Sequence, residues 1–412
     1  MWVKKKWPLV LLIILFAVSV GLRWPAFSMP PESRFDSTWD RFTNYEIYKH
    51  TGYVFSVYDT HTVDEHRFAG YVGSSPNFLK RENVENLYVY SSFPPTLFVV
   101  PYLVFKAFTI PVNLVSLDVF NLVLQLITTI LVYYLLLEIL PKRDRKRRVL
   151  VAFLAATAYL FSTGTLQGHM NVYWAHELLQ PVFVGVLLLF AKRKGLFKWW
   201  EAAIVGFALA VITWTGVLGG VGIALYGLYK LRRTRNRAYG AMVAGLAGGA
   251  LLALTLVAVQ VMLITGADLN SYTSTIFKRV EARTANGSIY QPMLVVRQFI
   301  TRLFQDYGFY IIAAYSMLLV YIRKIKPAFA WAVVAIAAFP LLESIPLVEH
   351  DSVYAFGRLK WLLPIILILG LMSYQFLDGP KKQLRQRILI GLFALAAIVH
   401  AWIYLDIFIW WQ

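Results

Sequence analysis

SFPPTLFVVPYLVFKAFTIP, residues 92–111, is apolar enough to pass for a membrane crossing, yet Pro94, Pro95, Pro101, Lys106 and Pro111 interrupt it. Which of the two it is decides the topology of everything downstream. Six basic clusters punctuate the chain: Lys4–Lys6, Lys142–Arg148, Lys192–Lys198, Lys230–Arg237, Arg323–Lys326 and Lys381–Arg387. Lys and Arg beside apolar helices are retained on the cytoplasmic face, so an even number of crossings separates each neighbouring pair. If 92–111 crossed, Lys142–Arg148 and every later basic loop would be stranded outside. The run is therefore read as an amphipathic helix in the outer-leaflet interface. Pro94 and Pro95 open it, in a first turn where a missing N–H costs nothing.

The composition around this stretch agrees with a membrane setting. Of 412 residues 58% are hydrophobic, with 13 Trp, 24 Tyr and 28 Phe. The mean hydropathy of +0.59 leaves too little polar surface for a water-soluble domain. A net charge of +18 would suggest a nucleic acid in a soluble chain; here the basic residues sit between apolar runs, so the excess describes topology and implies no nucleic-acid partner. With no Cys, disulfides, thiolate metal sites and cysteine nucleophiles are excluded.

Charge parity then predicts an all-α polytopic membrane protein of about 11 transmembrane helices, with a cytoplasmic N-terminus and a long first extracytoplasmic loop, 23–117. The helices fall at about 8–22, 118–140, 149–165, 178–191, two within 199–229, 239–264, 307–322, 327–342, 362–376 and 388–409. The pair within 199–229 is expected to bend near Thr215–Gly220, where glycines weaken a continuous helix. Trp7, Trp24, Trp361, Trp402, Trp410 and Trp411 suit interfacial anchoring.

Candidate chemistry gathers on the outer side. The first outer loop holds nine acids, among them Asp36 and Asp40, four apart just after the first helix. If helical, they share a face and can address one polar substrate, one removing a proton while the other orients it or a metal. His169, His176 and Glu177 border the next outer turn, and the seven-residue spacing of the two histidines suits one side of a helix. Lys278, Arg279 and Arg283, with Arg297 and Arg302 after them, are basic on the outer face against the general bias. So are Arg358 and Lys360, which follow His350, Asp351 and Tyr354. Such residues hold a lipid-borne phosphate, or else snorkel to anionic headgroups. Arg358 heads an apolar helix, where a buried charge wants a partner. Asp36, Asp40, His176 and Glu177 would suit Mg2+ or Mn2+, but nothing in their spacing specifies a metal. Gly245 and Gly249 are read as helix-packing residues.

Phe35-Asp36, Tyr53-Val54-Phe55 and Ser92-Phe93-Pro94-Pro95, set on this helix pattern, resemble the GT-C integral-membrane glycosyltransferases that use polyprenyl-phosphate-linked donors. The protein O-mannosyltransferase and lipid A aminoarabinose transferase types are the nearest in kind. The resemblance implies an acceptor-activating base at Asp36 with Asp40 beside it, because Ser37 stands where relatives carry Glu. It implies donor-phosphate contacts from Lys278, Arg279, Arg283, Arg358 and Lys360, and substrate contacts from His176, Glu177, His350 and Tyr354. Residues 1–264 would form the catalytic membrane module and 265–412 the helices that complete the donor site. The implied reaction is inverting transfer of a sugar from a polyprenyl-phosphate donor to a lipid, glycan or protein acceptor at the outer face of the bilayer. A polymerase or ligase using lipid-linked glycan, or a transporter or flippase of a polar lipid, are the alternatives.

The absence of native cysteines makes the topology directly measurable. In intact cells an impermeant maleimide should label Asn286→Cys, and should label Asp144→Cys and Arg235→Cys only after the membrane is opened. Outside labelling at position 144 would reverse the assignment of 92–111.

Overall fold

The computed structural model describes residues 3–27, 57–59, 78–80, 87–90, 94, 96–111, 114–171, 175–266, 270, 273–274, 277, 292–321, 328–345, 348–353, 355–378 and 381–406. Every apolar segment expected to be a crossing falls on a helix. The first is α1 (Val3–Leu22), followed by the single turn α2 (Trp24–Phe27). Three short strands, β1 (Val57–Asp59), β2 (Phe78–Lys80) and β3 (Leu87–Tyr90), add a small antiparallel sheet in the order β1-β3-β2, with Tyr58 opposite Tyr88 and Leu79 opposite Val89. Then come α3 (Thr96–Ala107), α4 (Leu114–Ile139), α5 (Arg145–Leu160), α6 (Thr163–Asn171), α7 (Ala175–Lys192), α8 (Trp199–Ile212), α9 (Trp214–Thr234) and α10 (Arg237–Thr265). The last group is α11 (Pro292–Tyr321), α12 (Ala328–Ala338) with a 3-10 extension (Phe339–Ser344), α13 (Val348–Val353), α14 (Ala355–Phe376) and α15 (Lys382–Leu405).

Six of these helices are long and apolar enough to cross a bilayer unaided; α5 with α6, bent by 57°, is a seventh if the pair is one broken span and otherwise a re-entrant loop, and Trp7–Leu22, Trp199–Ile212 and Ala328–Ser344 are shorter apolar helices. The chain is an integral membrane protein. Its lipid-facing surface is visible as exposed apolar side chains: Ile13 and Ile14 on α1, Leu251 and Leu263 on α10, Ile312 and Leu319 on α11 and Ile398 on α15. At 12 residues and roughly 18 Å, α3 is too short to cross a core of about 30 Å alone. It buries Leu97 and Phe105, the latter edge-to-face on Phe120 of α4 at 5.9 Å, and leaves Leu103 exposed, as is Phe108 in the turn that follows.

Three expectations need correction. The break within 199–229 is at Thr213, whose extended backbone (φ −166°, ψ 158°) ends α8 and whose side chain caps α9. The glycines beyond it serve packing instead: Gly219 lies against the Phe183 ring and Gly222 against Phe339. Trp361 is a partly buried internal residue, tilted against Phe299 at 5.8 Å and donating to Ser344 Oγ at 3.1 Å, so it is no interfacial anchor. The eighth crossing starts at Pro292, so Arg297 and Arg302 belong to a helix and not to a loop.

Small residues join α8 to α10. A Cβ on Gly245 would collide with the Trp199 carbonyl, one on Gly249 with the Ala203 carbonyl, and one on Gly206 with that of Leu246. Backbones approach this closely only through glycine, which is how Gly-x-x-x-Gly faces associate where lipid offers no hydrophobic drive. At the basic-loop end, Asp378 accepts from Arg147 at 2.6 Å and also from Arg143, while Asp144 accepts from Lys382 at 2.6 Å and caps α5 through the Arg147 N–H. Arg147 also donates to the Tyr374 carbonyl and lies 3.7 Å from the centre of that ring. These pairs tie the α4–α5 turn to the α14–α15 turn.

Both carboxylates are held below the usual aspartate range, Asp378 by its hydrogen bond from Arg147 and Asp144 by those from Lys382 and the Arg147 backbone. Their folded pKa values lie below the unfolded ones. Their stabilisation is therefore complete above the unfolded aspartate pKa, near 4, and is lost as pH falls through the folded values. Asp378→Asn should cost about 1 kcal/mol at neutral pH, a modest sum because Asp378 is partly exposed and screened. Thermal unfolding in detergent should show a lowered midpoint whose difference from wild type narrows below pH 4 and in high salt.

Candidate functional site

A buried ionic network forms where α14 begins. Arg358 sits one turn into that helix, 2% exposed, with its Nε donating to Asp306 Oδ2 of α11 at 2.5 Å and its Nη1 to the Asp351 carbonyl at 2.8 Å. Two residues on, Lys360 Nζ lies 3.0 Å from Glu343 Oε2 and 2.9 Å from Asp351 Oδ2. Asp351 also accepts from Ser344 Oγ at 2.5 Å. Glu343 accepts from Thr215 Oγ1 of α9 at 2.6 Å, and that hydroxyl stands 3.5 Å from His176 Nε2 of α7. Chain reversals explain the convergence. The 3-10 helix, α13 and the head of α14 fold over one another, and the N-terminal turns of α7 and α9 meet them, bringing positive dipole ends to the same place. Arg358 and Lys360 face Asp306, Glu343 and Asp351, so carboxylates outnumber these basic groups by one before His176 is counted.

Along α11, Leu294, Arg297, Gln298, Thr301, Arg302 and Gln305 line an open groove of about 440 Å3. Arg302 donates to Gln305 Oε1 at 3.3 Å and sits one turn before Asp306. The groove surface is largely apolar, with the Arg297 and Arg302 guanidinium groups on the same stripe as candidates for an anion. The opposite stripe, Val295, Phe299, Leu303 and Tyr307, is buried in the bundle.

The structure thus brings together four of the residues singled out from sequence, His176, Glu177, Arg358 and Lys360, all buried around the same helix ends. His350 lies on α13. Asp36, Asp40, Lys278, Arg279, Arg283 and Tyr354 lie outside the described residues. His169 and His176 do not share one helix: His169 is on α6 and His176 on α7. Sequence reading missed Asp306, Glu343 and Thr215 as site residues and named Asp351 only as a neighbour of Arg358 and Lys360. The signal for Asp306 was the buried i, i+4 rhythm of 295, 299, 303 and 307, which extends α11 back through the arginines. No group of three or more potential metal ligands converges among the described residues. Of those proposed for Mg2+ or Mn2+, only His176 and Glu177 are described.

Removing one partner of a buried pair strands the other charge, which costs about 3–5 kcal/mol, whereas an apolar pair of similar volume is far cheaper. Asp306→Leu or Arg358→Met alone should therefore lower expression and the thermal midpoint sharply, and the double variant should recover most of the loss. If Arg358 also contacts substrate, the folded double variant will bind or turn over poorly; normal turnover would confine Arg358 to a structural role.

Neither a family model nor a curated protein matches the sequence. Solved structures do match in fold. The apo oligosaccharyltransferase of Archaeoglobus fulgidus aligns with 98% of this chain at a TM-score of 0.59 and 15% identity. The same organism's oligosaccharyltransferase AglB, in complex with an inhibitory peptide and a dolichol-phosphate, aligns at 0.52 and 13%. A complex of the A. fulgidus enzyme with Zn and sulfate aligns at 0.53 and 16%. This chain spans 56%, 56% and 52% of those chains. The alignment runs through nearly the whole helical bundle that positions the buried network and the α11 groove, and the chain has the GT-C membrane fold.

Proposed function

We propose that this protein is a membrane glycosyltransferase that moves a sugar from a polyprenyl-phosphate-linked donor to a lipid-linked, glycan or protein acceptor at the outer face of the membrane. The observation that carries the reading is the α11 stripe with Arg297 and Arg302, one turn before the Asp306–Arg358 pair, set in a fold shared with an oligosaccharyltransferase whose structure holds a dolichol-phosphate. A leaving lipid phosphate is already anionic, so it needs fixed positive charge more than protonation. In this reading Arg297 and Arg302 receive the phosphate at the groove, with Lys278, Arg279 and Arg283 as further donors. Arg358 and Lys360 hold the carboxylates of the network in place. Asp36 removes the proton from the acceptor hydroxyl, Asp40 supports it, and His176, Glu177, His350 and Tyr354 contact the substrates. The N-terminus is cytoplasmic, and 1–264 and 265–412 supply the acceptor and donor sides of one site.

Mg2+ or Mn2+ at Asp36, Asp40, His176 and Glu177 would serve as a further electrostatic clamp. Loss of turnover on chelation, restored by one divalent ion, is the outcome expected if that clamp operates.

Buried ion pairs between helices also favour a transporter of a polar lipid, because intramembrane charges often mark a transport path. Turnover separates the two. Purified protein given a radiolabelled polyprenyl-phosphate sugar and an acceptor extract should form labelled product. Asp36→Asn, still folded, should lose about 100-fold or more of that activity, the scale of a lost general base. Lipid movement without product formation, or full activity in Asp36→Asn, would defeat the enzyme reading or the base assignment respectively.

A further inference from the structure

At the outer end of α1, Arg23 is fully buried yet bonded only to neutral groups. Its Nε donates to the Ser19 carbonyl at 2.9 Å, and its Nη2 donates to Ser19 Oγ at 2.9 Å and to Gln125 Oε1 at 2.7 Å. Among the described residues its Nη1 has no partner. A second buried atom without a partner is close by along α4. Asn121 Nδ2 donates to the Gly168 carbonyl at 3.1 Å, which leaves Asn121 Oδ1 as the acceptor for His169 Nδ1 at 2.9 Å. The His169 ring is 0% exposed and its Nε2 is unpartnered. Asn121 and Gln125 are four apart on α4, with Cβ atoms about 5–6 Å apart, so the guanidinium and the imidazole dock on adjacent turns of one helix face.

Neutral partners do not compensate a guanidinium removed from water, and an orphan donor beside an orphan imidazole nitrogen on one face calls for a common partner. We propose that Arg23 and His169 form a buried anion site that takes a phosphoryl group, borne by a lipid or free as inorganic phosphate. The chemistry matches both atoms. Phosphate oxygen accepts from Arg23 Nη1. The bare Nε2 of a neutral His169 accepts from the P–O–H of a monoanionic phosphate, and a protonated ring donates to its dianion instead. Bringing an anion there also cancels the buried positive charge. The site is distinct from the groove on α11 and does not depend on the sugar-transfer reading.

The test uses the full chain purified in detergent, in a chloride buffer free of phosphate and sulfate, with thermal unfolding and 31P line broadening as readouts. Farnesyl phosphate and inorganic phosphate are the two probes. A saturable rise of the midpoint with farnesyl phosphate alone supports a lipid-borne ligand; a rise with inorganic phosphate at similar affinity supports the free anion. Arg23→Gln and His169→Asn should each weaken that response at least tenfold; Asn at 169 retains a group able to meet Asn121. Without ligand, Arg23→Gln should unfold no lower than wild type, since it removes a stranded charge. If it does not fold, His169→Asn decides. No response of wild type to either probe, or a wild-type response in either folded variant, overturns the proposal; in the latter case the probe sits elsewhere, such as the α11 groove, and the transfer reading is untouched.

Discussion

A bilayer does not solvate charge, and the architecture follows from how this chain keeps its charges compensated. The decisive pair is Arg358 with Asp306, because it joins the head of α14 to the middle of α11 across 52 positions of sequence. Once that pair forms, Lys360 is carried to Asp351 and Glu343, and Glu343 reaches Thr215 on α9. Three helices, α9, α11 and α14, are therefore locked to the 3-10 helix and α13 by electrostatics that have no competitor in lipid. The same constraint works at the other end with less force. Asp378 and Asp144 are partly exposed, so their bridges to Arg143, Arg147 and Lys382 act in water and hold loops instead of organising a core.

Packing supplies what ion pairs cannot. Apolar side chains gain little by leaving lipid for one another, so the α8–α10 contact rests on shape: Gly206, Gly245 and Gly249 admit a carbonyl from the opposing helix where any side chain would exclude it.

How much of this could be read from sequence depended on whether the signal was local. Helix positions were legible because apolarity is local; the 12-residue α3 agrees in length with the reading that keeps Phe93–Pro111 from crossing. The amino-terminal half of α11 was hidden because Arg297, Gln298, Arg302 and Gln305 depress the hydropathy of 292–306, although Val295, Phe299, Leu303 and Tyr307 kept a helical rhythm beneath them. Arg358 was identifiable as a charge in need of a partner, but its partner was not, since nothing near 358 points to 306. Nor does anything in the sequence connect Glu343 to Lys360. The small sheet of β1 to β3 was invisible because strands of three or four residues carry no usable alternation.

The position of Arg23 shows why buried polarity is more informative than conspicuous polarity. In sequence it is a lone basic residue at the close of an apolar helix, the commonest place for a cation to snorkel toward headgroups. Folding denies it that route: Ser19, Gln125 and the surrounding α4 and α5 segments enclose the side chain, and Gln125 is itself oriented by the Leu160 carbonyl at 3.4 Å. A protein that needed only a membrane anchor at this position would keep the charge in water. Holding it inside, one helical turn from an imidazole nitrogen with no partner, costs stability in the empty state and creates affinity for an anion. The phosphate readings of the α11 stripe and of the Arg23–His169 face thus rest on different physics: the first offers two guanidinium groups to a ligand that enters an open groove, the second is an unbalanced buried charge that a ligand would balance.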